Sequence, residues 1–216
     1  MVKAVIFDID GLLLNTEPLW DITDDTLLRK RGFNLSKELR IKRVGTGQKN
    51  GIELFKKEFG IKEDTGAMIA ERINIFNSLL DENLSLMKGV KQLIKSLDKK
   101  KFLLAIATGG HSVSHLKKLL EKFDILKFFS VIVGRDDVKK GKPDPQIFLH
   151  AAHKLHVKPS DCLVLEDAPS GVEAGKRAGM HTFGINSEPL ILKKLKEMGA
   201  DRTFTSLTLI RPEHIP

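Results

Sequence analysis

The sequence predicts an α/β protein: a parallel sheet with helices on both faces, interrupted by a helical insertion after its first strand. Three observations carry that expectation. From about residue 86 onward, strand-length apolar runs alternate with helical patterns through the rest of the 216 residues, as in a parallel sheet with crossover helices. The chain also opens on such a run, Val2 to Phe7, nearly continuous in apolar residues as strands buried on both faces are. The residues between, 15–85, read as helix alone. The expected division is therefore 1–14 with 86–216 as the sheet core, and 15–85 as the insertion.

The first strand, Val2 to Phe7, delivers Asp8-Ile9-Asp10-Gly11 onto a turn. Thr16-Glu17-Pro18 reads as a helix start, a capping residue followed by proline in the first turn. Leu19, Ile22, Leu27 and Leu28 fall on one side of that helix, which stops before Gly32. Ser36 to Val44 is a short helix, and Gln48 to Phe59 another, closed by Gly60. From Asp64, the spacing of Met68, Ile69, Ile73, Phe76, Leu79 and Leu80 makes an amphipathic helix. In the core a helix begins near Gly89, and others span Ser114 to Phe123, Pro145 to His156 and Gly171 to Ala178. Strands are expected at Phe102 to Ala107, Phe129 to Val133, Cys162 to Leu165, His181 to Ile185 and Arg202 to Phe204. Arg211 to Pro216 reads as surface coil.

The composition, 41% hydrophobic, suits a globular domain with a real core. No run of some 18 apolar residues exists to cross a membrane, and the amino terminus enters a strand directly, without the pattern of a signal peptide. The single cysteine, Cys162, lies in an apolar run and reads as a core residue. A reduced cytoplasmic setting and a monomer are expected. The 36 basic residues exceed the 28 acidic ones by 8, an excess that attracts nucleic acid or phosphorylated small molecules. The lysines are scattered over probable helix faces, and only Phe33 follows a basic cluster, Arg29 to Arg31, in the manner of a base-stacking platform. Nucleic acid is therefore not an expected partner.

Asp8 and Asp10 would repel at a strand end unless a cation or a shared proton compensates them. They ask for a metal, a proton-transfer role, or both, although Asp-Gly turns also occur without either. Thr108 and the N–H of Gly109, after the second core strand, could hold phosphate oxygens. In Gly141-Lys142-Pro143-Asp144-Pro145 two prolines fix the backbone around one lysine, which could neutralise a phosphoryl group. Glu166-Asp167 is a second acidic pair at a strand end, and buried paired carboxylates call for something positive. Oxygen ligands of this kind suit magnesium.

With Asp8-Ile9-Asp10-Gly11, Thr108, Lys142 and Glu166-Asp167 in this order, the chain resembles the haloacid dehalogenase-like hydrolase superfamily, over essentially its whole length. The runs Gly141 to Pro145 and Glu166 to Ala174 are similar to its beta-phosphoglucomutase-like group, the second run to pseudouridine-5'-phosphatases. Glu17-Pro18-Leu19-Trp20 is similar to hexitol and 2-deoxyglucose-6-phosphate phosphatases. The resemblance implies a Rossmann-like, doubly wound core with an α-helical cap. It implies a magnesium-dependent phosphatase acting on a small phosphorylated metabolite, a sugar phosphate or nucleoside monophosphate. Asp8 would be the nucleophile and Asp10 the acid and base. Thr108, Gly109 and Lys142 would bind phosphate, and Asp8, the Asp10 carbonyl and Asp167 would hold Mg2+, with Glu166 acting directly or through water. Thr16, Trp20, Gln48 and His111 are candidate substrate contacts.

The chain departs from the family pattern at Asn15, where an aspartate is common, and at Gly110, where a small polar residue is frequent. Trp20 stands where the mutase has histidine, and Gln48 near where it has a cap arginine. Both differences favour phosphatase over the alternative, a sugar phosphomutase. The remaining alternative is a non-enzymatic protein that binds phosphate or nucleic acid. His150, His153 and His156 lack the carboxylate partner of a zinc motif and read as a surface face.

Overall fold

The computed structural model describes the chain from Met1 to Pro216, apart from the side chains of residues 80–83. Leu80, expected on an apolar helix face, lies outside the described residues. The chain divides into two compact units, Met1–Leu14 with Leu86–Pro216, and Asn15–Ser85.

In the first unit the strands are β1 (Ala4–Phe7), β2 (Leu103–Ala107), β3 (Val131–Val133), β4 (Cys162–Glu166), β5 (His181–Ile185) and β6 (Arg202–Phe204). They pair in parallel in the order β3-β2-β1-β4-β5-β6. That order is the doubly wound arrangement, whose ligand crevice lies outside the carboxyl ends of the strands where the winding reverses. Side chains alternate across a strand. Ala4, Ile6, Ala105, Ala107, Cys162 and Val164 pack on one face with Ile147, Phe148, Ala151 and Ala174. Their neighbours Val5, Phe7, Leu104, Ile106, Leu163 and Leu165 are no more than 1% exposed. Burial on both faces explains the continuous apolar runs.

Three strands are shorter than the sequence suggests, β2 by the single residue Phe102. β1 starts at Ala4, where pairing with Cys162 begins. β3 starts at Val131, because a 3-10 turn over Leu126–Phe128 takes up the Phe129 N–H. The core's insertion-free segment also carries α5 (Val90–Lys99), α6 (Val113–Lys122), α7 (Gln146–Lys154), α8 (Pro169–Arg177) and α9 (Pro189–Glu197). The sequence reading passes over α9. α7 stops before His156, which adopts a left-handed φ of 55°. The expected coil at the carboxyl end is instead tied down. Val2 donates its N–H to the Pro216 carbonyl at 2.9 Å, and the His214 ring stacks on Phe204 at 5.7 Å.

The second unit holds α1 (Glu17–Arg29), α2 (Lys37–Arg43), α3 (Gly47–Phe59) and α4 (Thr65–Asn83). Leu27, Leu28, Leu35, Leu39, Ile52, Phe55 and Met68 form its core. The Asp64 side chain caps α4 through the Ala67 N–H, at 2.8 Å, and Ser36 caps α2 through Leu39. Thr16, expected to cap α1, makes no side-chain cap; its carbonyl accepts from Leu19 and Trp20 instead. Ile22, expected on the apolar side of α1, is 50% exposed, and the buried face carries Thr23 and Asp24. On α4 the fully buried stripe is Met68, Arg72 and Phe76, so an arginine occupies an i+4 core position. Phe33 stacks on Phe59 at 4.6 Å, and Arg31 pairs with Glu63 and Glu71. The one basic-aromatic motif is thus used internally. Among the described residues no helix is long and apolar enough to cross a membrane.

Candidate active site

β1 and β4 flank the point where the winding reverses, and the acidic pairs leave the sheet there. The Asp8 N–H extends the β1–β4 ladder to the Leu165 carbonyl at 3.0 Å, which fixes Asp8 beside Glu166. Asp8, Glu166 and Asp167 are 6%, 1% and 4% exposed. A carboxylate oxygen from each lies within 4.8 Å of the others. Lys142 comes in from the Pro-bounded loop before α7. Its Nζ donates to Asp8 Oδ1 and Glu166 Oε1, both at 2.5 Å, and lies 4.9 Å from the Phe148 ring centre.

Glu166 sits in a built seat. Its Oε2 accepts the backbone N–H groups of Asp167 and Ala168, at 3.0 and 3.1 Å. A Cβ on Gly171 would lie 1.9 Å from its carboxyl carbon, so only glycine leaves room for it. Gly175, one turn further along α8, gives Thr182 room in the same way. Two glycines at i and i+4 inside a helix signal close approach to a neighbour. That spacing, Gly171 and Gly175, is legible in the sequence itself.

Burial, reinforced by Glu166 and Asp10, pushes the Asp8 carboxyl up to about 7 against the opposing pull of Lys142. Lys142 is also buried, which favours its neutral form, but Asp8 and Glu166 outweigh this and hold it protonated well above the usual lysine range. Three buried carboxylates converging on one point are a hard-oxygen donor set and fit a hard divalent cation.

Asp10 meets the loop after β2. Its Oδ1 lies 3.0 Å from His111 Nε2. A Cβ added to Gly110 would lie 2.7 Å from Asp10 Oδ2 and 3.7 Å from the Thr108 hydroxyl. Thr108 is 1% exposed; its N–H donates to the Val133 carbonyl, and its hydroxyl accepts from the Gly110 N–H. Burial alone would lower the His111 pKa, but the charges of Asp10 and Asp8 prevail and raise it. Asp8, Asp10, Thr108, Gly109, Lys142, Glu166 and Asp167 thus gather at the ends of three adjacent strands. His111, expected against substrate, is bonded to Asp10.

The other expected contacts belong to the insertion. Trp20 stacks on Phe76 with ring centres 3.7 Å apart, and the Arg72 guanidinium lies 4.5 Å from the indole centre. The Gln48 carbonyl oxygen accepts from Arg72 Nη1 at 2.6 Å. Arg72 also grips buried Asp24 with both arms of its fork, at 2.6 and 3.0 Å. An arginine therefore does reach Gln48, though from α4. Thr16 is fully buried. His153 and His156 are exposed and His150 is half-buried, and Asp8, Glu166 and Asp167 are the cluster of possible metal ligands found among the described residues. Cys162 is buried in the core with its thiol pushed up to about 11.

A doubly wound parallel sheet with paired carboxylates and a lysine at its switch point is a site where a cation and an anionic group can be held together. The family model of haloacid dehalogenase-like hydrolases matches residues 5–185, and the chain belongs to that family. Within it the chain falls in the beta-phosphoglucomutase and phosphatase group. It is 33% identical to the phosphorylated carbohydrates phosphatase of Thermotoga maritima, over 99% of this chain and 96% of the relative. It is 34% identical to (DL)-glycerol-3-phosphatase 2 of Arabidopsis thaliana, over 98% and 90% of the two chains. The crystal structure of beta-phosphoglucomutase from Clostridium difficile superposes with a TM-score of 0.81 at 25% identity, covering 100% of this chain and 96% of that one.

Proposed function

We propose that the protein is a magnesium-dependent phosphatase that hydrolyses a small phosphorylated metabolite, a sugar phosphate or a nucleoside monophosphate, through an aspartyl-phosphate. The observation that carries this reading is the position of Asp8: its carboxylate is bonded to Lys142 and lies within 4.8 Å of Glu166 and Asp167. Asp8 attacks phosphorus, and the ester P–O bond breaks. Asp10 gives its proton to the leaving oxygen, which departs as an alcohol. Asp10 then takes a proton from water as that water attacks the aspartyl-phosphate, releasing inorganic phosphate and restoring Asp8. Thr108, the Gly109 N–H and Lys142 hold the transferring oxygens, so catalysis rests on positioning and charge. Asp8, the Asp10 carbonyl, Glu166 and Asp167 would hold magnesium, which supplies neutralisation of phosphoryl charge when bound.

Phosphatase relatives such as that of Thermotoga maritima support this reading. The mutase alternative draws support from the Clostridium difficile structure and from the approach of Arg72 to Gln48. Against it, Arg72 is committed to Asp24, and Trp20 stands in place of the histidine. A panel of phosphate esters separates the two. The expected result is magnesium-dependent release of phosphate from several esters, with no conversion of a hexose 1-phosphate to the 6-phosphate in the presence of a bisphosphate activator. Efficient isomerisation would overturn the assignment.

A further inference from the structure

The loop after β2 does more than offer Thr108 and Gly109 to phosphate. Its next two residues, Gly110 and His111, meet the side chain of Asp10 from two sides. His111 Nε2 is 3.0 Å from Asp10 Oδ1, a contact between residues 101 apart in sequence. The missing Cβ of Gly110 is what leaves room for Asp10 Oδ2, since an ideal Cβ would approach it to 2.7 Å. Either feature alone is an ordinary loop contact. Together they bracket both oxygens of one carboxyl group.

The histidine is itself held. Its carbonyl accepts the Arg135 N–H at 2.9 Å. The adjoining Gly134 allows that approach, because a Cβ there would lie 2.8 Å from the His111 oxygen. The ring stacks on His115 of α6 with centres 5.3 Å apart and planes 15° apart, and the residue is 8% exposed. A ring so constrained is a fixed hydrogen-bond partner rather than a mobile surface histidine.

We propose that Gly110 and His111 form a seat for the Asp10 carboxyl, with His111 a positioning residue for the acid-base step. This rests on the reading of Asp10 as acid and base given above. The Nε2–H donates to Oδ1 and stays on the ring throughout. Oδ2 carries the proton that goes to the leaving oxygen and is later recovered from water. An Nε2–H donor exists in both the neutral and charged ring, so the role does not depend on the histidine changing protonation.

The test uses leaving groups that differ in their need for a proton. An alkyl phosphate must have its departing oxygen protonated, whereas p-nitrophenolate leaves unaided. In His111→Leu, kcat/KM for an alkyl ester such as glycerol phosphate should fall about 10- to 100-fold further than kcat/KM for p-nitrophenyl phosphate, within the range general acid catalysis supplies. His111→Gln, which restores an N–H at similar reach, should recover most of the difference. Gly110→Ala, which leaves the histidine in place but crowds Oδ2, should reproduce the alkyl-selective loss. Equal losses on both esters, or no recovery with glutamine, would overturn the seat. Asp10→Asn is the control for the underlying reading. If it shows the alkyl-selective loss and the His111 and Gly110 variants do not, the seat fails and the reading stands. If Asp10→Asn shows no such selectivity, the acid-base assignment itself fails.

Discussion

The strand ends of the core and the interior of the insertion both bury a group of charges, but they compensate them differently. In the insertion Asp24 receives both arms of Arg72 and has Arg43 Nε 2.9 Å away, in ion-pair contact without hydrogen-bond alignment. Arg43 reaches on to Glu17 and Asp21, and Arg40 to Asp21. Glu17, Asp21 and Asp24 thus face Arg40, Arg43 and Arg72, acid for base. At the strand ends Lys142 serves Asp8 and Glu166 together, and Asp8 is still pushed up to about 7. A cluster that satisfies itself is part of the scaffold. One that leaves a carboxyl so reluctant to ionise is ready for a cation from outside.

The sharpest way to break that contrast is to neutralise one acid in each cluster. Asp8→Asn should abolish turnover while the protein stays folded, because an amide cannot accept the phosphoryl group. Substantial phosphate release by pure variant would remove Asp8 from its role. Asp24→Ala should do the reverse, lowering stability by about 3–5 kcal/mol in urea unfolding, as expected when one partner of a buried ion pair is removed. A loss below about 1 kcal/mol would mean that the insertion cluster is not structural.

A pH series sharpens the contrast further. Asp8 has a folded value of about 7 against an ordinary 3.8. A carboxyl raised in this way contributes stability that is full below the ordinary value and is lost as pH climbs through the folded one. His111 is also raised above its ordinary 6.5, so its contribution too is lost as pH rises past that value. The stability of metal-free protein, followed by Tm, should therefore fall between about pH 4 and 8, the loss in unfolding free energy being on the order of a few kcal/mol, and excess magnesium should flatten the fall. A Tm that rises over that interval would contradict the assigned directions.

Gly171→Ala probes the Glu166 seat with one methyl group. The new Cβ would collide with the carboxyl, displacing it from Lys142 and from the Asp167 and Ala168 N–H groups. Magnesium affinity should drop about 10- to 100-fold, the usual cost of disturbing the groups that orient a metal site. Calorimetric titration with magnesium measures it, and unchanged affinity would show that Glu166 can move freely.

What could be read from the chain follows from how local each cause is. Asp8, Thr108 and Glu166-Asp167 could be found because each ends an apolar run, and strands buried on both faces announce themselves without reference to the rest of the fold. Lys142 could be found because two prolines follow it closely and fix its backbone. The Asp24–Arg72 pair spans 48 residues and the Asp10–His111 pair 101, and neither leaves a local trace. Arg72 was hidden further by its charge: at an i+4 position between Met68 and Phe76 it reads as a break in the apolar face, when it is part of the buried one. Trp20, expected against substrate, has its ring engaged by Phe76 and Arg72, neither of which its own neighbours in sequence announce. The carboxyl-terminal coil proved to be tied to Val2, a contact that no pattern within six residues can encode.

The central claim is that the strand-end carboxylates work on phosphate esters only with a divalent cation among them. It is tested most directly by stripping the protein with excess chelator and following phosphate release from a sugar phosphate as magnesium is added back. Turnover should be absent in chelator and return saturably with magnesium, and calcium should restore little of it because its looser coordination misplaces the attacking carboxylate. Full turnover in the presence of excess chelator would contradict the account.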